Sequence, residues 1–237
     1  MRYLDIILDI IYPPRCIFCK DIIPIQKEKG ICEECKKNLS FVEGKTCQRC
    51  GKPIEKKRDT CLDCIKYPPE YEKGWAVFVY EGLIRDMMYR FKYGGYKEYA
   101  RYLGHLMADK IRNEAPNEKF DLIIPIPIHP NRKKSRGYNQ GEELAKTISK
   151  ELNSPMDTSI LIRTKETRPQ SGLTIIERKN NIKNAFKIKI NMDLKQMKIL
   201  LVDDIYTTGA TINSCAKLLK NKNAGKIYFV SLSIGHS

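Results

Sequence analysis

Hydrophobic residues recur with the periods of helices and strands mainly in the part of the chain that follows residue 70. Short apolar runs alternate there with longer segments in which apolar residues return every three or four positions. The predicted strands cover residues 75–80, 121–126, 159–162, 185–188, 198–202 and 226–233, and the predicted helices cover residues 83–92, 96–112, 141–152 and 210–222. Strands that alternate with helices predict an α/β fold, in which a mostly parallel sheet is covered by helices on both faces.

The first 66 residues have a different pattern, with few long apolar runs and many Cys, Lys and turn residues. Four apolar residues at helical spacing, Leu4, Ile7, Leu8 and Ile11, predict a short amphipathic helix over residues 1–14. We expect this helix to pack on its own protein, and docking on a partner or a membrane surface is the alternative. A cysteine-rich module follows at residues 15–66, and Pro68-Pro69 marks the linker to an α/β domain at residues 70–237.

Eight of the nine cysteines form four Cys-x-x-Cys pairs, which are Cys16-Cys19, Cys32-Cys35, Cys47-Cys50 and Cys61-Cys64. A two-residue gap lets one tight turn aim both sulfurs at one ion, and two such pairs supply the four thiolates of a tetrahedral zinc site. Four pairs within about fifty residues favour two structural zinc ions over redox disulfides or iron. The module is therefore predicted to be a double zinc ribbon that folds around its metal.

The spacing of the pairs is compatible with two arrangements of ligands. In the simpler, sequential arrangement the first two pairs hold one ion and the last two pairs hold the other. In a cross-braced arrangement the first pair would join the third, and the second would join the fourth. The ninth cysteine, Cys215, lies in a helical apolar pattern and is predicted to be a core residue.

The chain has 237 residues and a formal net charge of +15, which favours polyanions as partners. Lysines and arginines surround the cysteine pairs at positions 20, 36, 37, 49, 52, 56, 57 and 58. The alternative interpretation is that the basic composition only provides solubility or reflects a lysine-using genome. No secretory signal or membrane-spanning run is evident, so we expect a cytoplasmic protein with reduced thiols.

The segment with the clearest chemistry runs from Ile199 to Thr211. Its apolar strand ends in the adjacent carboxylates Asp203 and Asp204, and a loop of small and hydroxyl residues then opens a helix. Ligands bind at the carboxyl ends of parallel strands, and free N–H groups at a helix N-terminus bind phosphate. Adjacent carboxylates can hold sugar hydroxyls and, through them or through water, Mg²⁺. A strand, a turn and an Asp-capped helix without a ligand is the simpler alternative.

This segment closely resembles the motif that binds phosphoribosyl pyrophosphate (PRPP) in type I phosphoribosyltransferases. The whole chain is similar to the ComF (ComFC) family of competence-associated proteins. Further resemblances are found in Tyr12-Pro13-Pro14-Arg15-Cys16, Phe91-Lys92-Tyr93-Gly94, the segments 125–132 and 136–140, Thr167-Arg168-Pro169-Gln170-Ser171-Gly172-Leu173, Arg178, Asn181 and Ala185-Phe186. The resemblance implies the type I phosphoribosyltransferase fold for the domain at residues 70–237.

The resemblance also implies a role for each residue of the motif. Asp203 and Asp204, as the catalytic pair, would bind the ribose hydroxyls of PRPP. The loop residues Thr207, Thr208, Gly209, Ala210 and Thr211 would cradle its 5′-phosphate. Arg132, Lys133 and Arg136 would present cations to the pyrophosphate, with a solvated basic loop as the alternative. Arg168 and Gln170 would close over the ligand.

The chemistry implied is displacement of pyrophosphate at the anomeric carbon by a nitrogen nucleophile, through a transition state like that of glycoside hydrolysis. Mg²⁺ bound with PRPP, cations on the leaving group and positioning would supply catalysis. One departure limits the acceptor. Thr207 replaces the carboxylate that serves as a base in the hypoxanthine-guanine enzymes, which argues against salvage of 6-oxopurines. The sequence also has no clear hood for recognising a base.

Three functions share this fold and pocket. The preferred one is a competence protein that handles incoming single-stranded DNA together with a ComFA-like helicase. We expect it to act in the cytoplasm at the inner face of the membrane, with which it would associate peripherally. The second is an active phosphoribosyltransferase of nucleotide or base metabolism. The third is a non-catalytic regulator that senses PRPP. Release of pyrophosphate from PRPP would separate them.

Overall fold

The computed structural model describes residues 11–24, 30–55, 57–167, 174–189 and 193–235. Four parallel strands form the central sheet, in the spatial order β1-β6-β5-β2. The strands are β1 (Lys73–Val79), β2 (Leu122–Pro125), β5 (Ile199–Tyr206) and β6 (Ile227–Ile234). Two further strands, β3 (Leu161–Arg163) and β4 (Phe186–Ile188), form a separate antiparallel pair.

Helices connect the strands and lie against the sheet. In chain order they are α1 (Glu33–Lys37), α2 (Leu62–Lys66), α3 (Gly82–Tyr93), α4 (Tyr99–Glu114), α5 (Pro130–Arg136), α6 (Gln140–Leu152), α7 (Ile175–Ile182) and α8 (Ala210–Lys220). Parallel strands joined by helices confirm the predicted α/β class. None of these helices combines the length and the apolar character that crossing a membrane would require.

The two faces of the sheet belong to two hydrophobic clusters, because successive side chains of a strand point to opposite faces. Leu200 and Val202 of β5 lie in the cluster that includes residues of α3, α4 and α6. Ile199 and Leu201 lie in the cluster that includes residues of α8. Strand β5 pairs with β6 from Ile199↔Ile227 to Tyr206↔Ile234, so both central strands are buried along most of their length.

The cysteine-rich module packs directly on the sheet. Residues 40–42 run antiparallel to β1, with Val42 N donating to Val77 O and Val79 N donating to Ser40 O, both at 2.8 Å. The module thereby covers the outer edge of β1, which would otherwise expose unpaired backbone groups. Cys16 and Cys35 extend the cluster that includes α3 and α4, and the last four paired cysteines, Cys47, Cys50, Cys61 and Cys64, extend the α8 cluster.

Most predicted elements are present, and three differ from the prediction. Strand β5 continues beyond residue 202 to Tyr206, because its backbone keeps pairing with β6 through the polar positions. Helix α5 occupies Pro130–Arg136, a segment predicted to be a pyrophosphate loop, with His129 accepting from Asn131 N and Pro130 in the first turn. Helix α7 was not predicted. The N-terminal helix predicted over residues 1–14 lies outside the described residues up to residue 10, and of the four described residues only Ile11 is helical.

Candidate functional site

The eight paired cysteines form two groups of four in the sequential arrangement. Within each group the sulfur atoms all lie within 4.8 Å of one another, and the groups are Cys16, Cys19, Cys32, Cys35 and Cys47, Cys50, Cys61, Cys64. The Sγ atoms of Cys19 and Cys32, and those of Cys50 and Cys61, are 3.6 Å apart. A tetrahedral ion with Zn–S bonds of about 2.3 Å places its sulfurs about 3.8 Å apart, so the spacing fits zinc. The cross-braced alternative is wrong.

Backbone amides point at the sulfurs, as expected around thiolates. Cys61 N donates to Cys47 Sγ at 3.3 Å, and Phe18 N and Cys32 N each donate to Cys16 Sγ at 3.4 Å. Burial opposes ionisation of Cys16, but amide donors from Cys32, Cys19 and Phe18 together lower the pKa of its thiol to about 7, whereas burial raises the pKa of Cys19 to about 11. A bound zinc ion would favour the thiolate form of all four sulfurs in a group. Each group therefore forms a Cys₄ zinc-binding site.

The ninth cysteine is placed as predicted. Cys215 lies on α8 with its side chain fully buried, among the residues of the cluster that α8 shares with the sheet. Burial raises the pKa of its thiol, so it stays protonated and behaves as an apolar core residue.

The acidic pair lies near the end of β5 and is held by a lysine from another element. Lys92 Nζ, in the last turn of α3, lies 3.0 Å from Asp204 Oδ2, and both side chains are less than one-fifth exposed. Asp204 N donates to Asp203 Oδ1 at 2.9 Å, which fixes the first carboxylate relative to the second. Lys92 therefore supplies a positive charge to the acidic pair.

The surroundings of Asp203 disfavour the ionised form of its carboxyl group. Burial, followed by the neighbouring charge of Asp204, raises the pKa of Asp203 to about 7, although Lys92 and Arg163 act in the opposite direction. A second cation placed here, such as Mg²⁺, would favour the ionised form. The pair is thus suited to binding a cation or a hydroxyl-bearing sugar close to neutral pH.

The loop after β5 has the conformation that a phosphate cradle needs. Gly209 precedes α8 with a φ of +74°, and a Cβ at this position would lie 2.4 Å from Tyr206 Oη. Only glycine therefore fits where the loop turns into the helix. Thr208 Oγ1 is buried and has no hydrogen-bond partner in the part of the chain that the structure describes. An unsatisfied buried hydroxyl is costly and suggests a polar ligand.

The structure distributes the three predicted pyrophosphate cations over different partners. Arg132 donates to Thr167 O at 2.5 Å. Lys133 pairs with Glu142 at 3.0 Å. Arg136 donates to Tyr93 Oη at 3.0 Å and to Gln140 Oε1 at 3.2 Å. The charges of Arg132 and, more weakly, Arg136 act on a residue near the acidic pair, because both lower the pKa of Arg163.

Sequence reasoning missed two cations, Lys92 and Arg163. Arg163 ends β3 and hydrogen-bonds Thr167 Oγ1, and its Nε is buried without a partner among the described residues. Burial, then the charge of Arg132, lowers the pKa of Arg163, whereas Asp203 raises it. Lys92 lies in the segment Phe91-Lys92-Tyr93-Gly94, which resembles the family, so the sequence contained a signal that could have identified this lysine. Arg168 and Gln170, predicted to close over a ligand, lie outside the described residues.

Several basic residues of the cysteine-rich module stabilise the fold. Lys52 is 3% exposed and pairs with Asp63 at 2.8 Å. Arg49 donates to the carbonyl oxygens of Pro69 and Tyr71, and the ammonium group of Lys20 lies 3.3 Å from the centre of the Tyr96 ring. Other basic residues of this module are exposed in the described ranges, and they are Arg15, Lys36, Lys37, Lys45, Lys57, Arg58 and Lys66.

Together, the fold and these sites define a phosphoribosyltransferase-type domain joined to a double zinc ribbon. Family models agree, since a double zinc ribbon domain matches residues 7–65 and a phosphoribosyl transferase domain matches residues 95–233. Competence protein F of Haemophilus influenzae is 31% identical over 90% of this chain and 93% of its own length. The chain belongs to the ComF (ComFC) family.

Other relatives align with similar fractions of this chain. The DNA utilization protein YhgH of Escherichia coli strain K12 is 28% identical over 84% of this chain and 87% of its own length. Competence protein ComFC of Bacillus subtilis is 26% identical over 87% of this chain and 84% of its own. A purine phosphoribosyltransferase of Pyrococcus horikoshii aligns with 56% of this chain and 72% of its own, at 20% identity and a TM-score of 0.36.

Proposed function

We propose that this protein serves natural transformation by handling incoming single-stranded DNA, and that its phosphoribosyl site binds PRPP with Mg²⁺. The observation that carries the proposal is the arrangement at the end of β5. An acidic pair there is balanced by Lys92, and α8 is opened by a loop in which the buried hydroxyl of Thr208 has no partner among the described residues. Such an arrangement offers acceptors for two sugar hydroxyls beside donors for a phosphate.

The binding mode assigns one part of PRPP to each group. Asp203 and Asp204 accept hydrogen bonds from the ribose hydroxyls, and the loop from Thr207 to Thr211 binds the 5′-phosphate. Arg132 and Arg163, which both contact Thr167, would supply the cations for the pyrophosphate. Bound Mg²⁺ would neutralise the pyrophosphate as it leaves. Lys92 must release Asp204, at least in part, when the metal complex binds.

The role in DNA uptake is supported by the names of relatives and by charge. Relatives are named as competence and DNA utilization proteins, and they span most of this chain. The net charge of +15 suits a polyanion, and the exposed Lys36, Lys37, Lys57 and Arg58 supply contacts to phosphates. A ComFA-like helicase and the inner face of the membrane are the partner and the location that we propose.

An active phosphoribosyltransferase is the second candidate, favoured by the match of residues 95–233 to the phosphoribosyl transferase domain. The DNA-handling protein and the active phosphoribosyltransferase differ in whether they release pyrophosphate from PRPP. Incubation of the protein with PRPP, Mg²⁺ and either a nucleobase or single-stranded DNA releases pyrophosphate only if the site turns over. A regulator that senses PRPP would bind it without this release.

The proposed function is tested in transformable cells that carry the Asp203→Asn/Asp204→Asn double variant. We expect the loss of most DNA uptake at normal protein levels, because the near-isosteric amides keep the packing and remove both charges. Asp109→Asn, a change of an exposed carboxylate on α4, serves as the matched control and should transform normally. Normal transformation by the double variant would show that the site is not needed for uptake.

A second arm of the test measures binding of single-stranded DNA by the purified protein at several salt concentrations. Binding through phosphates releases counterions, so the logarithm of the affinity should fall linearly with the logarithm of the salt concentration. An affinity that does not change with salt, or no binding at low salt, would contradict the proposed DNA contact.

A further inference from the structure

The structure contains a cleft between the second zinc site and the phosphate loop. Its volume is about 280 Å³. One wall comes from the zinc ribbon and the linker, with Asp63, Cys64, Tyr67 and Pro68-Pro69, and the other wall comes from the loop and α8. Neither Asp203 nor Asp204 lines the cleft, although Thr208, Gly209 and Ala210 do. The cleft therefore adjoins the phosphate loop without including the acidic pair.

Hydrogen bonds hold the two walls at a fixed separation. Tyr71 Oη and Tyr206 Oη are 2.7 Å apart and both side chains are buried. Glu70 N donates to Asn213 Oδ1 of α8 at 2.7 Å. In the ribbon, Gly51 has a φ of +74°, and a Cβ there would lie 2.5 Å from Gly74 O of β1. The ribbon thus packs closely on the sheet beside the cleft, and the two hydrogen bonds connect the walls of the cleft directly.

The charge inside the cleft is positive. The carboxylate of Asp63 is neutralised by Lys52 at 2.8 Å. Lys183 and Lys217 also line the cleft, are exposed, and form no ion pair within the described ranges. Two such lysines favour an anionic ligand.

The cleft also offers an aromatic surface. Tyr67 is 39% exposed, directly after α2, and the ammonium group of Lys66 lies 5.6 Å from its ring centre. An exposed aromatic ring beside lysines is the combination on which proteins stack the bases of single strands. The volume of the cleft is close to the lower limit of about 300 Å³ for small-molecule sites and leaves space for one nucleotide.

We propose that the phosphate loop also accepts a phosphodiester of single-stranded nucleic acid, and that this cleft holds the nucleotide on its 5′ side. This inference rests on the proposed function, in which the loop binds a 5′-phosphate whose ribose lies on Asp203 and Asp204. The nucleotide on the 5′ side is esterified to the same phosphate, and the cleft is the space that adjoins this loop without including the acidic pair. The zinc ribbon is then one wall of the nucleic-acid site, with Tyr67 stacking on the base and Lys217 contacting the backbone.

The test compares three ligands on the full-length, zinc-loaded protein: a 3′-labelled oligothymidylate, thymidine 5′-monophosphate, and PRPP with Mg²⁺. We expect Tyr67→Ala to weaken oligothymidylate binding between about fivefold and a hundredfold, the range for losing one stacked base. The affinities for thymidine 5′-monophosphate and PRPP should stay within about twofold, because neither ligand has a 5′ neighbour to stack. Saturating PRPP should displace the oligonucleotide, since both occupy the loop.

Two further variants make the test independent of the folding of α2. Lys217→Gln lies on α8, away from the zinc ligands, and should weaken oligothymidylate binding and leave PRPP binding unchanged. Tyr89→Ala, which removes an exposed tyrosine of α3 outside the cleft, is the matched control and should leave all three affinities unchanged.

Several outcomes would overturn the inference without touching the proposed function. These are oligonucleotide binding that survives both Tyr67→Ala and Lys217→Gln, equal losses in Tyr67→Ala and Tyr89→Ala, or oligonucleotide that saturating PRPP does not displace. A wild-type protein that fails to bind PRPP would instead contradict the proposed function. In that case oligothymidylate binding by Tyr67→Ala and Lys217→Gln, compared with Tyr89→Ala, still shows whether the cleft holds nucleic acid.

Discussion

At the scale of single residues, the acidic pair at the end of β5 is balanced by two cations, Lys92 and Arg163, which reach it from other elements. Asp203, Asp204 and Gly209 are contiguous in one recognisable segment, so their proximity requires no knowledge of the fold. Lys92 and Arg163 come from α3 and β3, and each resembles an ordinary basic surface residue until the chain brings it to β5. Long-range partners of this kind are determined by tertiary packing, which a local pattern does not contain.

The raised pKa of Asp203 predicts how its charge affects stability. The pKa of about 7 in the folded state lies above the reference value of 3.8, so the folded protein binds the proton more tightly. Charged Asp203 therefore costs stability at high pH, and this cost is lost as the pH falls from above 7 toward 3.8. We expect Asp203→Asn to be more stable than the wild type at pH 8, and this advantage to shrink by about half at pH 5.5.

The measurement is urea unfolding of both proteins at the two pH values, without Mg²⁺ or PRPP. Zinc content is checked at pH 5.5 so that loss of metal is not mistaken for titration of Asp203. The interpretation fails if Asp203→Asn is less stable than the wild type at pH 8, or if the difference does not change with pH.

At the scale of elements, periodicity predicted the elements with an apolar face and missed those without one. Helix α5 has no buried residue, so no apolar stripe marks it, and its helical form rests on His129, Pro130 and Gly137 at its ends. Strand β5 extends through Asp203 and Asp204 because β6 continues to pair with it, and backbone pairing does not depend on apolar side chains. The site thus lies where the hydrophobic signal ends and the strand continues.

The ion pair between Lys92 and Asp204 joins α3 to β5, and we expect it to be energetically coupled. Lys92→Met and Asp204→Asn each remove one partner of a mostly buried pair and leave the other uncompensated. The double variant should therefore lose less stability than the sum of the two single variants, with a coupling energy of about 1–3 kcal/mol.

Urea unfolding of the four proteins in this cycle gives the coupling energy. Lys45–Asp59, an exposed pair at 2.8 Å, provides the matched control through Lys45→Met and Asp59→Asn. The coupling there should be below about 1 kcal/mol, because water screens it. Equal coupling energies in the Lys92–Asp204 and Lys45–Asp59 pairs would mean that the ion pair with Lys92 does not stabilise the packing of α3 against the acidic pair.

At the scale of the whole molecule, the zinc ribbon and the α/β domain share their cores. Cys16 and Cys35 belong to the same hydrophobic cluster as α3 and α4, and Cys47, Cys50, Cys61 and Cys64 belong to the cluster of α8. The cysteine spacing was sufficient to predict two zinc sites. It was not sufficient to predict the docking of the ribbon on β1, because pairing to a strand edge depends on backbone groups that any sequence carries.

We therefore expect two zinc ions per chain and a single unfolding transition that depends on both. Cys50→Ser should reduce the zinc content to about one ion and lower the melting temperature of the entire chain, since the second zinc site and the sheet share one core. Cys215→Ala, which alters a buried cysteine outside both sites, should keep two ions. Metal analysis and calorimetry measure the two effects.

Less than about one ion in the wild type, with all eight paired thiols reactive, would contradict the zinc assignment. Two separate melting transitions in Cys50→Ser, one for the ribbon and one for the domain, would contradict the shared core.

The central claim is that the end of β5 is a PRPP site, and calorimetric titration of PRPP with Mg²⁺ tests it most directly. We predict that the Asp203→Asn/Asp204→Asn protein binds PRPP at least about a hundredfold more weakly than the wild type, because each lost charge-assisted hydrogen bond typically contributes about 1.5–3 kcal/mol. Asp109→Asn should bind as the wild type does. Unchanged affinity in a double variant that keeps its fold and zinc, or no binding by the wild type, would contradict the claim.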